Sequence, residues 1–159
     1  MSQALSDLRM HIIRCVAFGV FACVALSTTN ICAQTAVPNG ATIYAATCIA
    51  CHMANGQGVV GQFPPLVNSD WVVGSEERLI RIILHGVVGE IEVEGEMFNG
   101  AMPTWGPTFK DEDLAAVATY VRKSWGNKAA PVTAVTVARV RLQHQGRTKP
   151  WTPAELLKK

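Results

Sequence analysis

Two cysteines three residues apart, with a histidine directly behind the second, are the residues here whose types and spacing could do chemistry. They are Cys48, Cys51 and His52 in the run CIACH. Such a triplet is half of a zinc site, a redox-active dithiol, or the place where a haem is joined to the chain. A structural zinc site takes four ligands, commonly two such pairs or one pair with two closely spaced histidines. No second Cys-x-x-Cys pair occurs, and His85 and His144 are isolated in the sequence. A thioredoxin-like dithiol belongs beside a strand–helix–strand pattern, and no parallel-sheet pattern is legible. The spacing therefore favours one covalent haem c, held through Cys48 and Cys51 and ligated by His52.

Helical spacing gives that triplet its geometry. Residues three and four apart share one side of a helix, so both thiols can reach one edge of a porphyrin while His52 turns an imidazole nitrogen to the iron. The iron then needs a sixth ligand. Met53 adjoins His52 and cannot reach the opposite face, and Met97 lies in a half-buried strand pattern, where a thioether is usually packing. Met102 lies in NGAMPTWG, where Pro103 and the flanking glycines exclude a regular helix. An irregular loop presenting one soft sulfur 50 residues after His52 suits His/Met ligation. His52 and Met102 are thus the expected metal ligands.

The elements that must position these residues follow from local rules. Residues 1–33 read as a signal peptide, with Arg9, His11 and Arg14 ahead of the apolar run from Cys15 to Leu26 and a cleavage site at Ala33. The run is shorter than the roughly 20 residues of a membrane span, so the membrane is expected as a partner only by association or through an uncleaved signal. Removing that segment takes Cys15, Cys23 and Cys32 with it, leaving Cys48 and Cys51. Asn39 can cap a helix through GATIYAATCIACH, and Ser75 one through EERLIRIILHG, ended by Gly86. His85, at that helix end, fits the dipole as a cation. Glu90, Glu92, Glu94 and Glu96 alternate with Ile91 and Val93 as in a half-buried strand or hairpin. Asp111 can cap a helix carrying the stripe Leu114, Val117, Ala118 and Val121, and Gly40 would let that helix cross the first one closely. A further helix can start at Thr133, and Thr152, Pro153 and Glu155 have the N-cap, N1 and N3 chemistry of a short last one. Trp151 is the expected apolar anchor of that tail.

From Gly40 to Asn127 the chain resembles a class I c-type cytochrome. Within that class it resembles the small cytochromes associated with bacterial alcohol and sugar dehydrogenases. GATIYAATCIACH, FPPL, AMPTW and DEDLAAVATYVRKSWGN match the family's elements in order, with Gly40 and Tyr44 at its glycine and aromatic positions. The resemblance implies a mainly α fold, with helices around one covalently attached haem, to which the residue patterns above add a short hairpin-like insert and a helical C-terminal tail. It implies a cytochrome domain at residues 34–127; the tail at 128–159 has no counterpart in the minimal cytochrome, and its expected packing on the domain rests on Trp151. The resemblance further implies that the Pro64 carbonyl meets the far nitrogen of His52, that Leu66 lies on the haem, and that Trp105 reaches a propionate. Here the family's Gly-Pro reads Phe63-Pro64, so Pro65 is an alternative carbonyl partner.

The functional expectation is an exported, periplasmic, monohaem one-electron carrier. A thioether ligand raises the iron's potential relative to a second imidazole. Electrons would therefore pass from a dehydrogenase donor to an oxidase or another cytochrome. No nucleophile–base pair or carboxylate dyad points to catalysis by the chain itself. With 14 Lys and Arg against 12 Asp and Glu, charge gives no support to nucleic-acid binding. The glutamates of residues 90–96 and the mostly basic stretch from Arg122 to Lys159 read either as a dipolar docking surface or as ordinary solvated faces.

Overall fold

The Asn39 side chain accepts hydrogen bonds from the amides of Ala41 and Thr42 at 3.0 and 3.3 Å, satisfying two orphan donors of the first helix. That helix, α1 (Gly40–Thr47), stops at Cys48, and a short α2 (Ile49–His52) follows, so the single helix expected from the sequence is two pieces. The computed structural model describes residues 38–158; the expected signal segment lies outside them. Within the described residues no helix is long and apolar enough to cross a membrane.

After the haem motif the chain runs through a glycine- and proline-rich loop to α3 (Asp70–Val73) and α4 (Glu76–His85). Ser75 caps α4, and Gly86, at φ 76°, ends it. Next come β1 (Val87–Val93) and β2 (Glu96–Met102), antiparallel, with Val87 opposite Met102 and Val93 opposite Glu96. Glu94 and Gly95 between them both have positive φ, as the two-residue turn that matches strand twist requires. Alternation turns Val93 and Phe98 inward and leaves the glutamates exposed.

Helix α5 (Asp111–Lys123) buries the stripe of Leu114, Val117, Ala118 and Val121. Its cap differs from the expected one. Lys110 is the N-cap residue, and the Asp113 carboxylate accepts from its amide at 3.1 Å. Asp111 is instead the first helical residue, and its carboxylate is taken by Arg141 of the tail at 2.7 Å. Gly40 of α1 meets α5 so closely that a Cβ there would overlap the Ala116 carbonyl.

The tail carries α6 (Ala134–Gln143), capped by Thr133, and α7 (Pro153–Leu156), which opens with a reciprocal Thr152–Glu155 capping box. Helix α6 packs on α5 and α4, and its Val137 and Val140 are fully buried in the main core. Trp151 is 8% exposed. His85 departs from the helix-dipole expectation: burial first, then the charges of His144, Arg147 and Arg141, push its pKa down. The dipole's pull on a cation is overridden by a basic, dehydrated setting.

Candidate haem site

Cys48, Cys51 and His52 lie on one wall of a largely apolar cleft that opens to solvent. The other walls are the Pro64–Leu66 segment, the inner face of the hairpin, Ile82 and Ile83 of α4, and Val117 and Val121 of α5. Met102 and Trp105 line the same cleft. All seven residues singled out from the sequence therefore meet in one apolar space.

His52 is held by the backbone. Its Nδ1 lies 3.0 Å from the Pro64 carbonyl, which selects Pro64 over Pro65 as the partner. A carbonyl only accepts, so Nδ1 carries the proton and the neutral ring keeps a bare lone pair on Nε2. Burial lowers the ring's pKa and so favours that neutral form, while the Pro64 hydrogen bond works against the shift. Both thiols are free. Burial pushes the Cys48 thiol up, the Thr47 hydroxyl at 3.3 Å works against this, and Cys51 adds a smaller rise.

The loop behind the motif is tied down at several points. The Tyr44 hydroxyl donates to the Met53 carbonyl at 2.6 Å, and the Gly56 carbonyl accepts from the Leu66 amide at 2.7 Å. Gly56, at φ 70°, lies flat under the Trp125 ring, where any Cβ would collide. Trp125 in turn donates its indole N–H to the Ala54 carbonyl at 3.0 Å. Tyr44, Tyr120 and Trp125 pack ring to ring with centroids 5.1–5.6 Å apart, joining α1, α5 and this loop.

Met102 is not on an irregular loop, as its glycine and proline neighbours implied. It is the last residue of β2, paired with Val87. The segment after it is fastened to the end of α4: the amides of Trp105 and Gly106 donate to the Ile83 and Leu84 carbonyls at 3.0 Å, and the Thr104 hydroxyl also donates to Leu84. Carbonyls in the last turn of a helix lack intrahelical partners, so this segment caps α4 while α4 fixes its position. Trp105 stacks on Phe109, with 5.4 Å between centroids and 12° between planes. Met97, opposite Glu92, is 58% exposed on the outer face.

The sequence reading missed two residues that hold this site. Asn127 is buried, donates to the Leu66 and Val121 carbonyls at 3.0 and 2.7 Å, and accepts from the Asn68 amide at 2.8 Å. Arg122 is 4% exposed rather than the start of a basic surface, and it donates to the carbonyls of Val72, Gly74 and Ala130. A turn composition at Trp125–Gly126–Asn127 marks a helix stop but names no partner 61 residues away.

Two free thiols, a ring with its proton turned away, a thioether and apolar walls are a donor set that fits a flat apolar group carrying one metal. A family described as "Cytochrome C oxidase, cbb3-type, subunit III" matches residues 35–121. Cytochrome c-552 of Thermus thermophilus is 38% identical over 128 residues, covering 75% of this chain and 92% of that protein. The chain belongs to the c-type cytochromes.

Other relatives of this cytochrome are parts of larger proteins. The cytochrome c subunit of an alcohol dehydrogenase (quinone) from Gluconacetobacter polyoxogenes is 36% identical over 120 residues, 72% of this chain but 25% of that subunit. The fructose dehydrogenase cytochrome subunit of Gluconobacter japonicus is 34% identical over 114 residues, 67% and 23% of the respective chains. Membership brings haem c as the cofactor and electron transfer as the activity. With a single Cys-x-x-Cys-His motif, the cytochrome is monohaem.

Proposed function

We propose that this cytochrome is an exported, periplasmic one-electron carrier, in which His52 and Met102 would ligate the haem iron. It receives electrons from a periplasmic or membrane dehydrogenase and passes them to an oxidase or another cytochrome. The observation that carries this reading is the convergence of His52, both thiols and Met102 on the walls of one apolar cleft. When bound, the haem supplies a one-electron change at its iron. Cys48 and Cys51 would hold it covalently. His52 would present Nε2, with the Pro64 carbonyl fixing the ring's orientation and raising its basicity. Met102 would supply the sulfur, and Trp105, at the cleft wall, would meet a propionate. Leu66 and the hairpin's inner face would cover the bound haem with apolar surface, a setting that would favour the less charged ferrous form.

A second reading is a cytochrome subunit held in a dehydrogenase complex. It is favoured by the relatives that are named as such subunits. Size exclusion of the native protein separates the two, since a free carrier elutes at the mass of one chain.

Absorption spectra of the haem-loaded protein test the ligand set. The expected ferric form shows the weak long-wavelength methionine–iron band, the ferrous form ignores carbon monoxide, and Met102→Ala abolishes the band and admits carbon monoxide. Ready carbon monoxide binding by the unaltered protein would move a sensor or enzyme with an open iron position to the front.

A further inference from the structure

The haem cleft uses Met102, but the structure also shows what stands behind that residue. Val87, its partner in the hairpin, has a second neighbour on its other edge, Trp151 of the tail, in a parallel bridge. The Trp151 amide donates to the Gly86 carbonyl at 3.0 Å, and the Val88 amide donates to the Trp151 carbonyl at 2.9 Å. At its Met102 end β1 is therefore bridged on both edges, with Val87 standing between Met102 and Trp151. The side chains repeat the connection. Trp151, Ile82 and Leu156 form a small core of their own, separate from the main one, and Met102 and Val87 pack against it. The tail ring is itself clamped: the Arg147 guanidinium sits 3.4 Å over its centroid, and Arg147 is paired with Glu155 at 2.9 Å.

We propose that Trp151 is a positioning residue for the ligand methionine, its bridge to Val87 and its indole against Met102 holding the end of the hairpin so that the Met102 sulfur would stay on the iron. This rests on Met102 being the sixth ligand. A packed side chain has few alternative rotamers, and β1, bridged on both edges at Val87, gives the end of β2 a partner that is less free to fray. Removing the indole would leave a cavity beside Met102 and free the thioether to leave the iron. The indole N–H is buried without a partner, so its apolar bulk is what counts, and phenylalanine should replace it.

The test compares haem-loaded Trp151→Ala, Trp151→Phe, Met102→Ala and Val137→Ala. Val137 is fully buried in α6, within the main core, and reports general loss of stability. Three signals are read: the ferric methionine–iron band, the rate of carbon monoxide uptake by the ferrous form, and the midpoint potential. Trp151→Ala is expected to weaken the band, to take up carbon monoxide at least about tenfold faster than the unaltered protein and to lower the potential. Trp151→Phe should restore all three towards their starting values. Val137→Ala should lose thermal stability and keep all three. Should Trp151→Ala fail to accumulate, Leu156→Ala opens the same small core and carries the same expectation.

A normal band and inertness to carbon monoxide in Trp151→Ala, with both lost in Met102→Ala, would overturn the positioning role and leave the ligand intact. Equal loss in Val137→Ala would overturn it too, by making the effect general. If Met102→Ala keeps the band, the ligand assignment itself falls and the proposal with it.

Discussion

At the residue scale, two hydrogen-bonding groups do most to shape the approach to the iron, and they differ in how visible they were. The His52–Pro64 contact joins residues 12 apart within a recognisable motif order. Asn127 joins the end of α5 to the Leu66 segment with all three of its polar contacts satisfied inside the protein. Asn127→Leu would leave two carbonyls and one amide without partners, at about 1–3 kcal/mol for each group that water cannot reach. Its expected outcome is a loss of about 3 kcal/mol in urea unfolding of the haem-loaded protein, with the methionine–iron band retained. A loss below about 0.5 kcal/mol would mean that water takes over the three groups. Arg122→Met removes a buried cation and leaves three carbonyls unpaired. It is expected to cost about as much, since burial already pushes this guanidinium's pKa down and its charge is carried by carbonyl dipoles.

What was legible at this scale divides by distance along the chain. The haem motif, the Met102 sulfur and the caps at Asn39, Ser75, Thr133 and Thr152 depend on neighbours within a few residues, and the structure has each cap where local chemistry put it. Asn127, Arg122 and the Asp111–Arg141 pair depend on partners 30 or more residues away, apart from the Arg122–Ala130 and Asn127–Val121 bonds. No local pattern encodes those. Met102 was misplaced for a related reason: Pro103 and the glycines announce irregular backbone, but the pairing with Val87 depends on the register of the whole hairpin.

At the element scale the α1–α5 crossing and the tail are the two joints. Gly40→Ala places a methyl group on the Ala116 carbonyl and against Tyr120 Cβ. Overpacking at a backbone contact costs about 1–3 kcal/mol, and the expected result is a Tm lower by several degrees in the haem-loaded protein. The tail should show its weakness in acid. His85 and His144 pack edge to face with Trp151, and burial is the leading cause holding both pKa values below the ordinary 6.5. Arg147 adds to this at both rings, Arg141 at His85 and Arg81 at His144, while Glu77 opposes at His144. Below about pH 6.5 the unfolded chain therefore binds protons that the folded one refuses, and stability falls as pH falls through that window. Glu155 has the other sign of shift: the Thr152 amide, Arg147 and the Thr152 hydroxyl hold its carboxyl down to about 2, so what it contributes is present above about 4.5 and lost on the way to 2. The haem-loaded double variant His85→Gln, His144→Gln should lose less stability than the parent between pH 7.5 and 5. Parallel urea midpoints for the two proteins over that range would remove the histidines from the account.

At the scale of the whole molecule, charge is sorted by position rather than by amount. Glu77, Asp111 and Glu155 are paired with arginines of α4 and the tail, whereas among the described residues none of Glu90, Glu92, Glu94 and Glu96 makes an ion pair. These four lie on the hairpin whose inner face walls the haem cleft, so an unneutralised negative field stands on one side of that cleft. Such a field steers encounter more than it sets final affinity. Small oxidants of opposite charge measure it without any need to know the natural partner. The ferrous protein should be oxidised by the tris-phenanthroline cobalt(III) cation about fivefold more slowly once Glu90 and Glu92 are both glutamine, at an ionic strength of about 0.01 M. Ferricyanide should move the other way. Both differences should largely vanish at about 1 M salt, where the screening length is about 3 Å. Equal rates for parent and variant at low salt would mean that electrons cross at a face the hairpin does not overlook, with the basic tail then the surface to alter next. The two strands would in that case act as a wall for the cleft and not as a guide for what approaches it.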